Sequence, residues 1–86
     1  MHTVELLQEA IGLAERLGYT VRQEWLAGAE GGACELKGRK YLFLDVSASP
    51  LDQLDQVLQS LRKEPISPSL PLPGPLADLL GLRKSA

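Results

Sequence analysis

Apolar and polar residues alternate along the chain with two different periods, which predicts helices on either side of a β region. In residues 4–17 the apolar positions recur at helical spacing, with mostly polar residues between them. A second amphipathic pattern spans residues 51–61. Thr3 suits the N-cap of the first helix, and Ser49 with Pro50 suits the start of the second.

Three segments between the helices carry strand patterns. Residues 19–25 alternate with a period of two, residues 33–37 form a shorter segment, and residues 40–46 are apolar almost throughout. The glycine-rich residues 27–32 predict a loop, and Gly38-Arg39 predicts a tight reversal. The sequence therefore predicts an α+β fold of order α-β-β-β-α, in which a three-stranded antiparallel meander carries two helices on one face.

The C-terminal part of the chain differs in composition. Residues 65–75 contain five of the six prolines, which predicts an extended linker. A short helix is expected over residues 75–82, with Leu76, Leu79 and Leu80 on one side. This divides the chain into an α+β domain, residues 1–64, and a proline-rich linker with a short amphipathic segment, residues 65–86. Such a segment either folds back onto its own domain or docks on a partner.

The third strand is apolar on both faces, which indicates that both faces are covered. A turn at Gly38-Arg39 pairs Leu36 with Tyr41 and Cys34 with Phe43. These four side chains then share the face of the sheet that lies away from the two helices. Three covers are possible: the tail helix, a second copy of the chain, or a different partner. We favour the second copy, related by a two-fold axis.

The lone tryptophan, Trp25, is either a core anchor or an interface anchor, and its strand neighbours favour the core. With this residue included, the predicted interface consists of Trp25, Cys34, Leu36, Tyr41 and Phe43 of the sheet and Leu76, Leu79 and Leu80 of the tail.

Size and charge restrict the function classes. The chain has 86 residues, which predicts one small domain. Its formal net charge of -2 argues against a nucleic-acid-binding protein, because phosphate contacts require a basic face. Lys37, Arg39 and Lys40 are its only dense basic cluster and are typical of a solvated turn. No apolar run approaches the ~20 residues of a membrane span. No signal peptide is visible either, so the cytoplasm is the expected location.

Few residues carry chemistry. Cys34 follows Gly31-Gly32, whose amides would favour a reactive thiolate, but a free cysteine in a strand is more often a small core residue. One cysteine, one histidine and scattered carboxylates do not make a metal site, and no cofactor is indicated. Asp45, near the end of the apolar strand, is a candidate catalytic carboxylate, but the sequence shows no base or nucleophile to act with it. It would equally pair with Arg22 or Arg39, or cap the loop before the second helix. We therefore predict that the protein is not an enzyme.

These patterns predict a protein-interaction or dimerisation module, of the adaptor or cargo kind, that docks through its sheet face and its tail. The alternative is a regulatory domain that binds a thiol or another small ligand. Its site would use Cys34 and the glycine loop of residues 28–32, with Gly31 and Gly32 as the nearest candidates.

Overall fold

Helices and strands occur in the predicted order in the computed structural model, which describes residues 2–27 and 31–82. The elements are α1 (Thr3–Arg16), β1 (Tyr19–Glu24), β2 (Gly32–Leu36), β3 (Arg39–Asp45), α2 (Pro50–Leu61) and α3 (Gly74–Leu79). The α+β class is therefore confirmed. The side chain of Ser49 caps α2 as predicted and accepts a hydrogen bond from the Asp52 amide at 3.2 Å. Thr3, in contrast, is already helical, and His2 occupies the N-cap of α1.

Strand order is where the sequence-based prediction of the sheet is wrong. The order is β1-β3-β2, with β1 parallel to β3 and β2 antiparallel to it, so the sheet is mixed and is not a meander. The physical reason lies in the composition of the strands. β3 is apolar on both faces and gains most from a central position, whereas β1 and β2 carry polar residues that tolerate an edge.

The turn between β2 and β3 lies one residue earlier than predicted. Lys37 and Gly38 both have positive φ angles, +53° and +78°, as a two-residue hairpin turn of the primed type requires. Consequently Cys34 pairs with Tyr41, and Leu36 pairs with Arg39. This register differs from the predicted one by two positions. Because side chains alternate with a period of two, a shift of two leaves each residue on its predicted face.

The core lies between one face of the sheet and the helices. Its buried members are Leu7, Ala10, Leu13 and Ala14 of α1, Leu42 and Leu44 of β3, Leu54, Val57, Leu58 and Leu61 of α2, and Leu76 of α3. We call the face that carries Leu42 and Leu44 the inner face. The domain is thin, with a shortest Cα extent of 15 Å, which fits one layer of helices on one sheet.

The C-terminal segment packs against its own domain. Leu76 of α3 is fully buried, and Leu70 and Leu72 of the linker lie against the same core. The Arg62 guanidinium at the end of α2 also donates to the Leu79 carbonyl oxygen, with Nη2 at 3.0 Å. Of the two arrangements that the sequence left open for the tail, the structure has the fold-back one. The domain boundary after residue 64 stays a prediction.

Candidate functional site

The face of the sheet opposite the helices gathers most of the residues predicted to form an interface. Residues that pair across neighbouring strands project to the same side, so the register identifies the members of this face. We call it the outer face; its exposed and half-buried members are Thr20, Arg22 and Glu24 of β1, Gly32, Cys34 and Leu36 of β2, and Arg39, Tyr41 and Phe43 of β3.

Two aromatic rings form the centre of the outer face. Tyr41 and Phe43 are stacked, with ring centroids 6.0 Å apart and an interplanar angle of 15°. Both residues are only half-buried, although they belong to the central strand. In the same strand Leu42 and Leu44, which face the helices, are fully buried. The described helices therefore shelter one face of β3 and leave the other partly exposed.

Two further apolar side chains near the sheet are exposed. Leu36 is 61% exposed and Trp25, just beyond the end of β1, is 72% exposed. Cys34 is also exposed. The preference for Trp25 and Cys34 as core residues is therefore wrong. Trp25 lies just after the last residue of β1, so the alternation of side chains within the strand does not determine its direction. Cys34 pairs with Tyr41 and projects to the side of the sheet without helices.

The β1 side of the outer face is polar. The Arg22 guanidinium forms an ion pair with Glu24 at 3.0 Å, and both side chains are largely exposed. This pair joins alternate residues of one strand and cancels its own charge. The outer face thus has an uncharged centre, with the Arg22–Glu24 pair at its β1 side and Arg39 at its hairpin end.

Asp45 performs a structural task at the end of β3. It is 7% exposed, and its Oδ1 accepts hydrogen bonds from the Leu26 amide at 3.2 Å and from the Ser47 amide at 2.9 Å. The Ser47 hydroxyl donates to the same oxygen at 2.7 Å. The carboxylate therefore joins the segment after β1 to the segment after β3 by hydrogen bonds, as expected for a loop cap.

A cluster that sequence reasoning missed joins the sheet to the end of α2. The Tyr19 hydroxyl donates to Glu64 Oε1 at 2.6 Å across 45 positions of sequence, and the Lys40 ammonium lies 3.3 Å from the same oxygen. Burial, aided by the hydrogen bond to Glu64, raises the pKa of Tyr19 to about 12. The hydrogen bond from Tyr19, followed by Lys40, lowers the pKa of Glu64. The long separation leaves no local pattern from which to predict this cluster.

Gly31, Gly32 and Cys34, the candidate ligand-binding residues, line shallow clefts beside β2. The requirement for glycine at Gly31 has a packing reason, because a Cβ there would lie 2.6 Å from the Phe43 carbonyl oxygen. Residues 28–30 of the predicted glycine loop lie outside the described residues.

The three predicted interface residues of the tail are placed differently from one another. Leu76 is enclosed in the core, Leu80 packs against it while half-buried, and Leu79 is 38% exposed. Most of this apolar surface therefore serves the fold of its own chain. The outer face carries the larger exposed apolar groups.

These features define a small α+β domain with one partly uncovered sheet face. Comparison of the chain with protein-family models, curated proteins and solved structures found no match. Among residues 2–27 and 31–82, no group of three or more histidine, cysteine or acidic side chains is arranged to hold a metal ion. Within the same residues, no helix has the length and apolar character to cross a membrane.

Proposed function

We propose that this domain is a protein-interaction module that self-associates through its outer face. The observation that carries the proposal is the half-buried aromatic pair, Tyr41 and Phe43, on the same sheet face as the exposed Leu36. Trp25 is a further exposed aromatic residue, just beyond the end of β1. Contiguous apolar surface of this kind is uncommon on a monomer and often marks an interaction site. Aromatic side chains are also the usual anchors of interfaces.

A second copy of the chain suits the chemistry of this face. The centre of the face is uncharged, its β1 side carries one arginine and one glutamate already paired at 3.0 Å, and Arg39 lies at its hairpin end. Two copies related by a two-fold axis would therefore meet without concentrated like charge. Dimerisation would also add stability to a small domain, because a chain of 86 residues buries only a modest fraction of its surface when it folds alone.

The test compares two leucines that are similarly exposed but lie on different sides of the molecule. Leu36 lies on the outer face and is 61% exposed, and Leu51 lies at the start of α2 and is 56% exposed. We expect the native chain to reach twice its monomer mass of 9.3 kDa at high micromolar concentration in light scattering. Leu36→Ser should weaken dimerisation about tenfold or more, corresponding to about 1.4 kcal/mol, whereas Leu51→Ser should leave it unchanged.

Trp25 provides a second measurement on the native chain, since it is the only tryptophan. Its fluorescence should shift to shorter wavelength as concentration rises, because a dimer would withdraw this ring from water. A bulky maleimide on Cys34 should abolish both the shift and the mass increase. A strictly monomeric particle, or equal effects of Leu36→Ser and Leu51→Ser, would contradict the proposal.

A further inference from the structure

β2 forms an open edge of the sheet. It pairs with β3 on one side only, and Ala33, Cys34, Glu35 and Leu36 are all exposed. The other side of β2 presents backbone N–H and C=O groups that no described strand uses. Such an edge is a template for an added strand, because the backbone hydrogen bonds are already aligned.

Three clefts converge on this edge and meet at Ala33. Their volumes are about 400, 350 and 290 Å³. The largest separates β2 from α2. Its α2 wall is a polar stripe at helical spacing formed by Gln56, Gln59 and Ser60, and Lys63 extends this wall just beyond the helix. The second cleft opens on the outer-face side, beside Phe43. Side chains of an added strand alternate between two sides, and here each side has space to receive them.

The cleft against α2 also contains an unsatisfied acceptor. The side-chain oxygen of Gln56 is enclosed, yet it accepts no hydrogen bond from any described residue. An enclosed polar atom without a partner costs free energy, so such atoms are uncommon in folded proteins.

Charge at the hairpin end of β2 indicates the chemistry of the occupant. The whole chain has a net charge of -2, but this end collects four of its nine basic residues, Lys37, Arg39, Lys40 and Lys63, against the acidic Glu35 and Glu64. Glu64 is paired with Lys40 and accepts a hydrogen bond from Tyr19, which leaves Lys37, Arg39 and Lys63 against Glu35. The local excess of positive charge therefore favours an acidic partner.

We propose that the β2 edge binds an extended acidic peptide of a partner protein as a fourth strand. Main-chain hydrogen bonds to β2 supply the affinity. The polar stripe of α2 contacts alternate side chains of the peptide. Lys63, Lys37 and Arg39 favour peptides that carry negative charge. The site adjoins the outer face, because Cys34 and Phe43 line its second cleft. The main-chain hydrogen bonds themselves form at the free edge of β2 and do not require a second copy of the chain.

The experiment follows the backbone amide NMR signals of the full chain during titration with a synthetic peptide. The probe alternates threonine and valine and carries two aspartates at each end. We expect the largest and saturable shifts in β2, at Ala33 to Leu36. The same peptide methylated on alternate backbone nitrogens should not bind, because it cannot pair as a strand. A version with lysines in place of the aspartates should bind at least about tenfold more weakly.

A pair of charge-reversal variants tests the selection of acidic peptides. Lys63→Glu should weaken binding of the aspartate peptide about tenfold. Arg16→Glu, at the C-terminal end of α1 and outside the lining of the three clefts, should not affect it. Three results would each overturn the proposal: shifts centred on β1, equal binding of the methylated peptide, or no shifts at millimolar peptide. The readout is independent of the mass of the particle, so failure here is distinguishable from failure of self-association.

Discussion

The Glu64 carboxylate connects three elements through single side chains. It lies just beyond α2 and accepts hydrogen bonds from Tyr19 of β1 and Lys40 of β3. Lys40 also lies 5.3 Å from the centre of the Tyr19 ring, where a cation is attracted by the π face. Because Pro65 follows Glu64 immediately, this cluster holds the chain in place between the end of α2 and the start of the proline-rich linker.

Replacing this carboxylate by its neutral isostere should weaken the fold. Glu64→Gln keeps the shape but loses the charge-assisted hydrogen bonds, and we expect the free energy of unfolding at neutral pH to fall by about 1 kcal/mol. Urea denaturation followed by circular dichroism measures this change. The same substitution at the exposed Glu9 of α1 is the control and should change stability by less than about 0.5 kcal/mol.

The advantage of the native chain over Glu64→Gln should depend on pH. The pKa of Glu64 is lowered in the folded state, so its contribution is complete above the ordinary value of 4.5 and is lost as the pH falls through the folded pKa. Unfolding curves of the two chains should therefore converge below pH 4.5. A difference that stays constant into acid would show that the carboxylate charge is not the cause.

Tyr19 gives the opposite dependence in alkali. Its pKa is raised from 10.0 to about 12, so its contribution is complete below pH 10.0 and is lost as the pH rises through 12. Tyr19→Phe removes the titrating hydroxyl, and its stability should decline less than that of the native chain over this interval. Tyr41→Phe on the outer face serves as the control. Parallel decline of the native chain and Tyr19→Phe would contradict the assignment.

Among the elements, the β2–β3 hairpin decides how the outer face is assembled. Its turn places Lys37 and Gly38 at positive φ, which suits the right-handed twist of the two strands. The turn also fixes the register that brings Cys34 beside Tyr41. Local backbone geometry at two residues thus sets which side chains are neighbours on a surface formed by three strands.

Two substitutions in this turn should have opposite effects. Lys37→Asn should stabilise the domain by about 0.5 kcal/mol, because asparagine accepts positive φ more readily than lysine. Gly38→Ala should destabilise the domain by about 1 kcal/mol, because residue 38 has a φ of +78°, which alanine adopts only with strain. A clash is not the cause, since a Cβ at this position would meet no atom within 4 Å. Chemical denaturation of both variants checks the signs. If the turn lay at Gly38-Arg39, Lys37→Asn would place asparagine within a strand and would destabilise the domain.

At the scale of the whole molecule, the C-terminal segment completes a core that the first two helices and the sheet leave open. Leu76 is fully buried among residues of α1, α2 and β3. A buried leucine contributes a large share of the modest stability of a small domain. The proline-rich linker therefore carries a structural part of the fold.

Truncation of Leu76 tests this role. Leu76→Ala should lower the free energy of unfolding by about 2 kcal/mol or more, within one cooperative transition of the entire domain. Leu79→Ala, at a position that is 38% exposed, should cost less than about 1 kcal/mol. A domain that unfolds identically with Leu76 or Ala at this position would show that the tail packs independently of the core.

How much the sequence predicted differs from one part of the molecule to another. The helices and strands were predictable because amphipathic periods, Ser49 with Pro50, and the glycine positions are local signals. The shared face of Cys34, Leu36, Tyr41 and Phe43 was also predicted, since an error of two positions in register preserves the face. The Tyr19–Glu64–Lys40 cluster could not be predicted, because nothing local links residues 45 positions apart.

The amino-acid sequence by itself determined the elements, their order and the apolar character of both faces of β3. Tertiary structure alone decided that β3 lies between β1 and β2, that the tail folds back, and that Trp25 and Cys34 are exposed. The physical reason is that hydrophobic periodicity states which side chains avoid water, whereas competition among all elements for one small core decides which of them succeed.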